Sequence, residues 1–591
     1  VTVIVGLAIV LLALAVLPLT GSGDAGEPSR LPPRTAGAAP SYPLSRFPAA
    51  AVLRMPPADP HAGVSRACRE ANNAELTPAG VRAENSWPGN DQWRKATQLS
   101  SGPIAIYLGK VTAQCGDTVG VHLRGVGRAS GVVSVYRLGW YRGLGGRVLW
   151  TSRHVTAPFE RIGRPTGPTR AIAMSWPEAT RFTIAPSWDP GLYAVVVFPV
   201  NGRRPSLAPL VVRADRSSAP VLLMASDTTW AAYNDYGGYS EYLGAPGSTH
   251  GQHYAMRSYE VGYARPMAGT GMQQFAAMDV PVAAFLESQG IPVDYTTATA
   301  VDTDPSVLLD HPEIVVPGHS EYWTSRMYDG FMVARDRGIN LAFLGANNDF
   351  WQVRIERDAA HAPVSQVVYK DAALDPMART APLQATVQWG APPLNRDSVQ
   401  LTGAHFTGVS VFGPERLMSP TSWIVANAHL RPGEIIPAIA GNEVDTVLPT
   451  TSPHWRQEPS TVQTIFEGVF SGWPAGGYRS MTVSYYSAKS GAGVFNAGST
   501  YWACTLMDAC PLVAAPARTM DVVRAVTLTV VTAFEHPRAG AAHPSAPQPP
   551  TPEAAMATLM GASNVGVRQA PGGPPRPEVQ GGGPGNSSRS G

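Results

Sequence analysis

The chain has 591 residues, and its 45 Lys and Arg nearly cancel its 43 Asp and Glu. That balance excludes a global field able to draw it onto nucleic acid or an anionic membrane surface. The length is enough for two or three domains with sizeable cores.

Val1 to Leu19 carry no charged side chain, a length that suits a membrane-spanning helix or a long secretory segment. Residues 1–20 are therefore expected to be an anchor or signal segment. The protein would be exported, either held in the cell membrane facing outside or secreted. The Gly/Pro/Ser-rich stretch from Gly21 to about Pro60 makes 21–82 a linker. Cys68, Cys115, Cys504 and Cys510 form an even set, as an oxidising compartment favours. Cys504 and Cys510 are near enough to close a small loop, and Cys68 with Cys115 would staple the linker onto the first domain. No Cys-x-x-Cys pair supports zinc.

Residues 83–215 read as an antiparallel β-sandwich. Val119, Val121 and Leu123 alternate with Gly120 and His122, and Tyr193, Val195 and Val197 alternate along Leu192 to Phe198. Turn residues sit at Gly116-Asp117 and Asp189 to Gly191. This part holds no cluster of acids, histidines or nucleophiles, so it reads as a scaffold or binding module.

From about Pro220 the period changes, and residues 216–535 read as an α/β domain with a mainly parallel sheet. Strands are expected at Val221 to Met224, Val293 to Tyr295, Ile314 to Val316 and Asn340 to Leu344. Helices fall between them at Val280 to Gln289, at Ser306 to Leu309, and from a Thr324 cap to about Arg337. Later strand-like stretches lie at Ser410 to Phe412, Thr482 to Tyr485 and Gly493 to Phe495, followed by an amphipathic helix at Met520 to Glu535. Residues 536–591 are rich in Pro, Gly, Ala and Ser and are expected to be disordered.

Three loops follow apolar strands in this domain and would line one crevice of a doubly wound sheet. They are Asp227 to Gly238 with Tyr233, Gly318 to Trp323 with His319 and Glu321, and Gly345 to Trp351 with Asn347. A phenol, an imidazole and a carboxylate converging there suit acid/base chemistry or an oxygen-rich metal site. Taken singly, each has a plain structural role: a buried aromatic, a turn histidine, a helix N-terminal carboxylate. Gly318-His319-Ser320-Glu321-Tyr322 lacks the second glycine of a nucleophile elbow, which argues against Ser320 as nucleophile.

At these residues the chain resembles the large (beta) subunit of N,N-dimethylformamidase. The resemblance rests on Val135 to Tyr141, Trp230 to Asn234 with Gly237-Gly238, Gly318 to Trp323, and Asn340 to Asn347 with Trp351 and Arg354. Gly441 to Asp445 and Val494 to Gly498 extend it. It implies a β-sandwich followed by an α/β domain similar to glutamine-amidotransferase-like folds. It also implies hydrolysis of a small amide at a mononuclear ferric site held by two tyrosines and a glutamate, with a histidine nearby. By motif the glutamate corresponds to Glu321, the histidine to His319 and one tyrosine to Tyr233. The family's Arg-Pro-Tyr reads Arg265-Pro266-Met267 here, and a thioether is a poor partner for a hard ferric ion. Tyr263 is the candidate replacement, and Asn347 the candidate oxyanion donor. A small partner subunit or a homo-oligomer is the implied assembly. The competing reading is a non-catalytic surface protein that keeps the fold but has lost a ligand at Met267.

Overall fold

A computed structural model describes residues 67–556 apart from 69–72, 75, 98–101, 128, 215, 247–252, 449–451, 453–456, 458, 471–478, 509–511, 513, 548–550 and 552–554. The expected anchor, most of the linker, Cys510 and the end of the tail lie outside the described residues. Among the described residues no helix is long and apolar enough to cross a membrane.

The first part is two antiparallel-based sheets packed face to face. One holds Ile104–Leu108, Thr118–Gly125 and Glu178–Thr183; the other has five strands, among them Ala129–Leu138, Gly191–Pro199 and Ser206–Val212. Val119, Val121 and Leu123 point into the core between them, as their alternation requires. In Gly191–Pro199 both faces are buried. Tyr193, Val195 and Val197 face the sandwich core, while Leu192, Ala194 and Val196 join the core of the next part of the chain. Cys68 and Cys115 form a disulfide with Cα atoms 5.2 Å apart. Cys504 is also disulfide-bonded.

The second part is built on a nine-stranded sheet. We label its elements β1 (Val221–Ala225), α1 (Asp227–Tyr233), α2 (Val280–Ser288), β2 (Val293–Thr297), β3 (Glu313–Gly318), α3 (Ser325–Asp336) and β4 (Asn340–Gly345). Then come β5 (His405–Leu417), β6 (Ile435–Thr446), β7 (Gln463–Phe470), β8 (Arg479–Ser487), β9 (Gly493–Asn496) and α4 (Ala517–Phe534). The order is β2-β1-β3-β4-β9-β8-β7-β5-β6. The first five strands in that order are all parallel, and the remaining pairings are all antiparallel. The expectation of a mainly parallel sheet is thus corrected to an evenly mixed one. The reason is local: the short link from Ser487 to Gly493 cannot carry a crossover helix, so β8 and β9 must pair antiparallel. Thr324 caps α3 as expected, its Oγ1 accepting from the Met327 N–H at 3.2 Å.

Residues 536–547, the start of the segment expected to be disordered, are ordered, and most of the rest of that segment lies outside the described residues. Ala539–Ala542 is a short helix, Tyr485 Oη donates to the His543 carbonyl at 2.7 Å, and Ser487 and Ser545 bond reciprocally at 2.9 and 3.1 Å. The segment has little apolar surface, but its backbone groups find partners on β8.

A buried ion pair crosses the seam between the two parts. Arg137 donates to both Glu287 oxygens, at 3.0 and 2.7 Å, and Tyr295 and Asn85 donate to the same carboxylate at 2.9 Å each. Such pairing is what makes two buried charges tolerable.

Candidate functional site

Leaving β1 the chain turns toward β2, and leaving β3 it turns to the other side, toward β4. Between β1 and β3 lies the switch point, where open sheets of this kind form a crevice at the strands' carboxyl ends. Tyr233 ends α1, directly after β1, and His319 and Glu321 directly follow β3. Gly318 makes that turn at φ +49°, and a Cβ there would stand 2.4 Å from Cβ of Met278.

The three residues meet. Tyr233 Oη donates to Glu321 Oε2 at 2.7 Å, and His319 Nε2 stands 3.5 Å from the same oxygen. His319 Nδ1 donates to Gln274 Oε1 at 3.1 Å, which fixes the ring. Gln274 lies in a π-helical turn, Gln274–Asp279, of the kind often found at functional sites. Two residues beyond those singled out in the sequence complete the cluster. Glu443, on β6, brings Oε2 to 3.1 Å from His319 Nε2, an ion-pair contact. Tyr242 stands with Oη 3.3 Å from that of Tyr233 and 3.4 Å from Glu321 Oε2. All five side chains are buried.

Around this centre the packing is polar and ordered. Asn347, at φ +50°, donates from Nδ2 to Glu443 Oε2 at 2.6 Å, and its backbone N–H donates to Asp445 at 2.8 Å. That contact orients Glu443. Lys370 donates to Tyr322 Oη at 2.6 Å and lies over the Tyr242 ring at 3.2 Å, and Tyr242 and Tyr322 hydrogen-bond through their hydroxyls.

Electrostatics follow from burial and crowding. Burial and then Glu443 push the Glu321 carboxyl above its ordinary range. For Glu443 burial works against the charge, but His319 and hydrogen bonds from His319, Asn347 and Tyr233 prevail and its pKa is lowered. Burial also opposes charge on His319, yet Glu443 and Glu321 raise its pKa. The surroundings thus favour the charged forms of His319 and Glu443 and the neutral form of Glu321. Burial, then Glu321, raises both Tyr233 and Tyr242. Burial lowers Lys370 to about 7.

Tyr263 does not join this group. Its hydroxyl donates to Gln366 Oε1 at 3.2 Å, and its ring packs in a separate cluster with Tyr107 and Trp176. Met267 packs against the core that holds Trp230, Met272 and Phe275. The second phenol within reach of Glu321 is that of Tyr242, not Tyr263. Tyr242 follows Tyr239-Ser240-Glu241 in an irregular stretch where no strand or helix period marks it.

Tyr233 Oη, Tyr242 Oη and Glu321 Oε2 form a triangle with edges of 2.7, 3.3 and 3.4 Å. Oxygens held about 2.0–2.1 Å from a small hard cation stand at that spacing from one another. Among the described residues no group of three or more His, Cys, Asp or Glu could hold a metal ion. A cation here would depend on the two phenols.

No characterised protein matches the chain significantly. The family described as N,N-dimethylformamidase beta subunit-like, C-terminal, matches residues 132–513, well over half of the chain and inclusive of every residue of the cluster. The protein belongs to the N,N-dimethylformamidase beta subunit-like, C-terminal family.

Proposed function

We propose that the protein hydrolyses the C–N bond of a small amide, with Tyr233, Tyr242 and Glu321 holding a ferric ion. The observation that carries this reading is the triangle of hard oxygens beside His319 at the switch point. Bound there, iron supplies Lewis acidity, which polarises a carbonyl and eases loss of a proton from water.

The chain's own groups do the rest. Glu443 is the carboxylate placed to take a proton from water as its oxygen bonds to the amide carbon. The same proton goes to the amide nitrogen as the C–N bond breaks, so acid and amine leave and Glu443 is regenerated. His319 holds Glu443 ionised, and Asn347 aims it. Lys370 steadies Tyr322 and the face of Tyr242. Burial of Tyr233, Tyr242, His319, Glu321 and Glu443 excludes bulk water and strengthens each contact.

Strand order supports reading the second part as glutamine-amidotransferase-like. The uncharged Val1–Leu19 and the Cys68–Cys115 bond support export, either anchored or secreted. The family description, a beta subunit, supports a small partner chain. The non-catalytic reading turned on a ligand lost at Met267, and it loses weight because Tyr242 offers a second phenol beside Glu321. The test is hydrolysis of N-alkylformamides by the iron-loaded protein, followed as amine release. Glu321→Gln should lose iron and activity together; activity unaffected by that change would refute the proposal.

A further inference from the structure

Arg265 is buried where the sandwich meets α1, and its charge is not paired. Nη2 donates to the carbonyls of Tyr236, at 2.5 Å, and Tyr239. Among the described residues Nε and Nη1 have no hydrogen-bond partner. Asp235 attracts the guanidinium without contacting it, and burial lowers the pKa of Arg265 to about 10. A buried guanidinium with no carboxylate in contact, its charge offset only at a distance by Asp235 and Glu241, is costly, and buried charges are normally paired in contact.

Beside it is a cavity with about 30 Å³ open to water centres. That exceeds the roughly 10–15 Å³ one water needs, and leaves no room for a large ligand. Leu108, Ala208 and Pro209 line it from the sandwich, and Trp230 and Ala231 from α1. Asp227 also borders it, but both its oxygens accept from Thr299, one from the backbone N–H at 3.0 Å and one from the hydroxyl.

We propose that this cavity binds a small monovalent anion, of halide or formate size, against the unpartnered N–H groups of Arg265. Two N–H groups of the guanidinium are free to donate, and a charge-assisted hydrogen bond is about twice as strong as one to neutral water. The rest of the lining is mostly apolar, with Asn234 and Asp227 among its polar members, and favours a compact ion over a hydrated cluster. The site is distinct from the Tyr233–Glu321 cluster and does not depend on the amide reading. Its consequence is that anion binding ties the sandwich to α1, the helix that presents Tyr233.

The test is thermal unfolding of the purified full-length protein in chloride, formate or gluconate at one ionic strength. Gluconate is too large for the cavity and serves as reference. The midpoint should rise by about 1–2 °C, saturably, with chloride, formate or both. A rise with chloride alone assigns a halide site, and one with formate a carboxylate site. Arg265→Gln should abolish the rise. If that variant fails to fold, Ala231→Val, which fills the cavity and keeps Arg265, decides: the rise should disappear there too. No saturable rise in the unmodified protein, or an equal rise in Ala231→Val, overturns the proposal.

Discussion

Tyr233 Oη lies 2.7 Å from Glu321 Oε2 although 88 residues separate them in sequence. The contact exists because β1 and β3 are adjacent parallel strands whose following segments both turn into the same crevice. It brings a phenol to a carboxylate, and Tyr242 and Glu443 complete the arrangement from outside those two loops.

Glu443→Gln should separate binding from chemistry. The amide cannot act as a base, so kcat should fall by about 10²–10⁴. Iron content should stay unchanged, since the two phenols and Glu321 remain. Metal analysis beside steady-state kinetics checks this; loss of iron together with activity would make Glu443 a ligand.

Arg137→Ala should destabilise the fold by about 3–5 kcal/mol, because it leaves the Glu287 carboxylate buried and unpaired. Both side chains are almost fully buried, 6% and 2% exposed, so solvent screening offers little relief. Denaturant unfolding of the variant measures the loss. A change within about 0.5 kcal/mol would show that the pair contributes nothing net.

Glu467 should make stability fall as pH rises. Burial raises its pKa from 4.5 to about 7, and Glu415 beside it is raised well above its ordinary value, first by burial and then by Glu467. The folded state therefore binds more protons than the unfolded chain between about pH 4.5 and 7, and the stability present below 4.5 is lost as pH climbs through 7. Glu467→Gln removes that dependence. The variant should melt higher than the parent at pH 8 and close to it at pH 4.5, by an amount on the order of 2–3 kcal/mol at most. Equal midpoints at pH 8 would contradict this. The carboxylate also accepts the Thr551 N–H at 3.0 Å, a bond the Gln side chain can keep.

Much of the second part was legible because its strands are continuous apolar runs bounded by turn residues. Ile314-Val315-Val316 before Pro317-Gly318 is one, and it places His319 and Glu321 without further information. Residues carried by irregular backbone or by the antiparallel half were not legible in the same way. Tyr242 follows no strand, Lys370 sits in a turn at φ +61°, and Glu443 reaches the site only because β5 and β6 fold back beside the parallel strands. Glu443 did lie within a stretch resembling the family, Gly441 to Asp445, which marked the place but not the role. Tyr263 stands two residues before Arg265-Pro266 in sequence, which does not bring it to the site. Its strand neighbourhood turns the ring toward the sandwich instead.

Iron content and visible absorption of the purified protein, compared with its Tyr242→Phe variant, test the central claim most directly. Roughly one iron per chain with a phenolate absorption band is expected in the parent, as two phenols on a hard ferric ion require. Tyr242→Phe should lose most of the iron and the band, while Tyr263→Phe and Met267→Tyr should leave both as they are. Iron and band retained in Tyr242→Phe, or a parent protein that takes up no ferric ion when it is supplied, would contradict it.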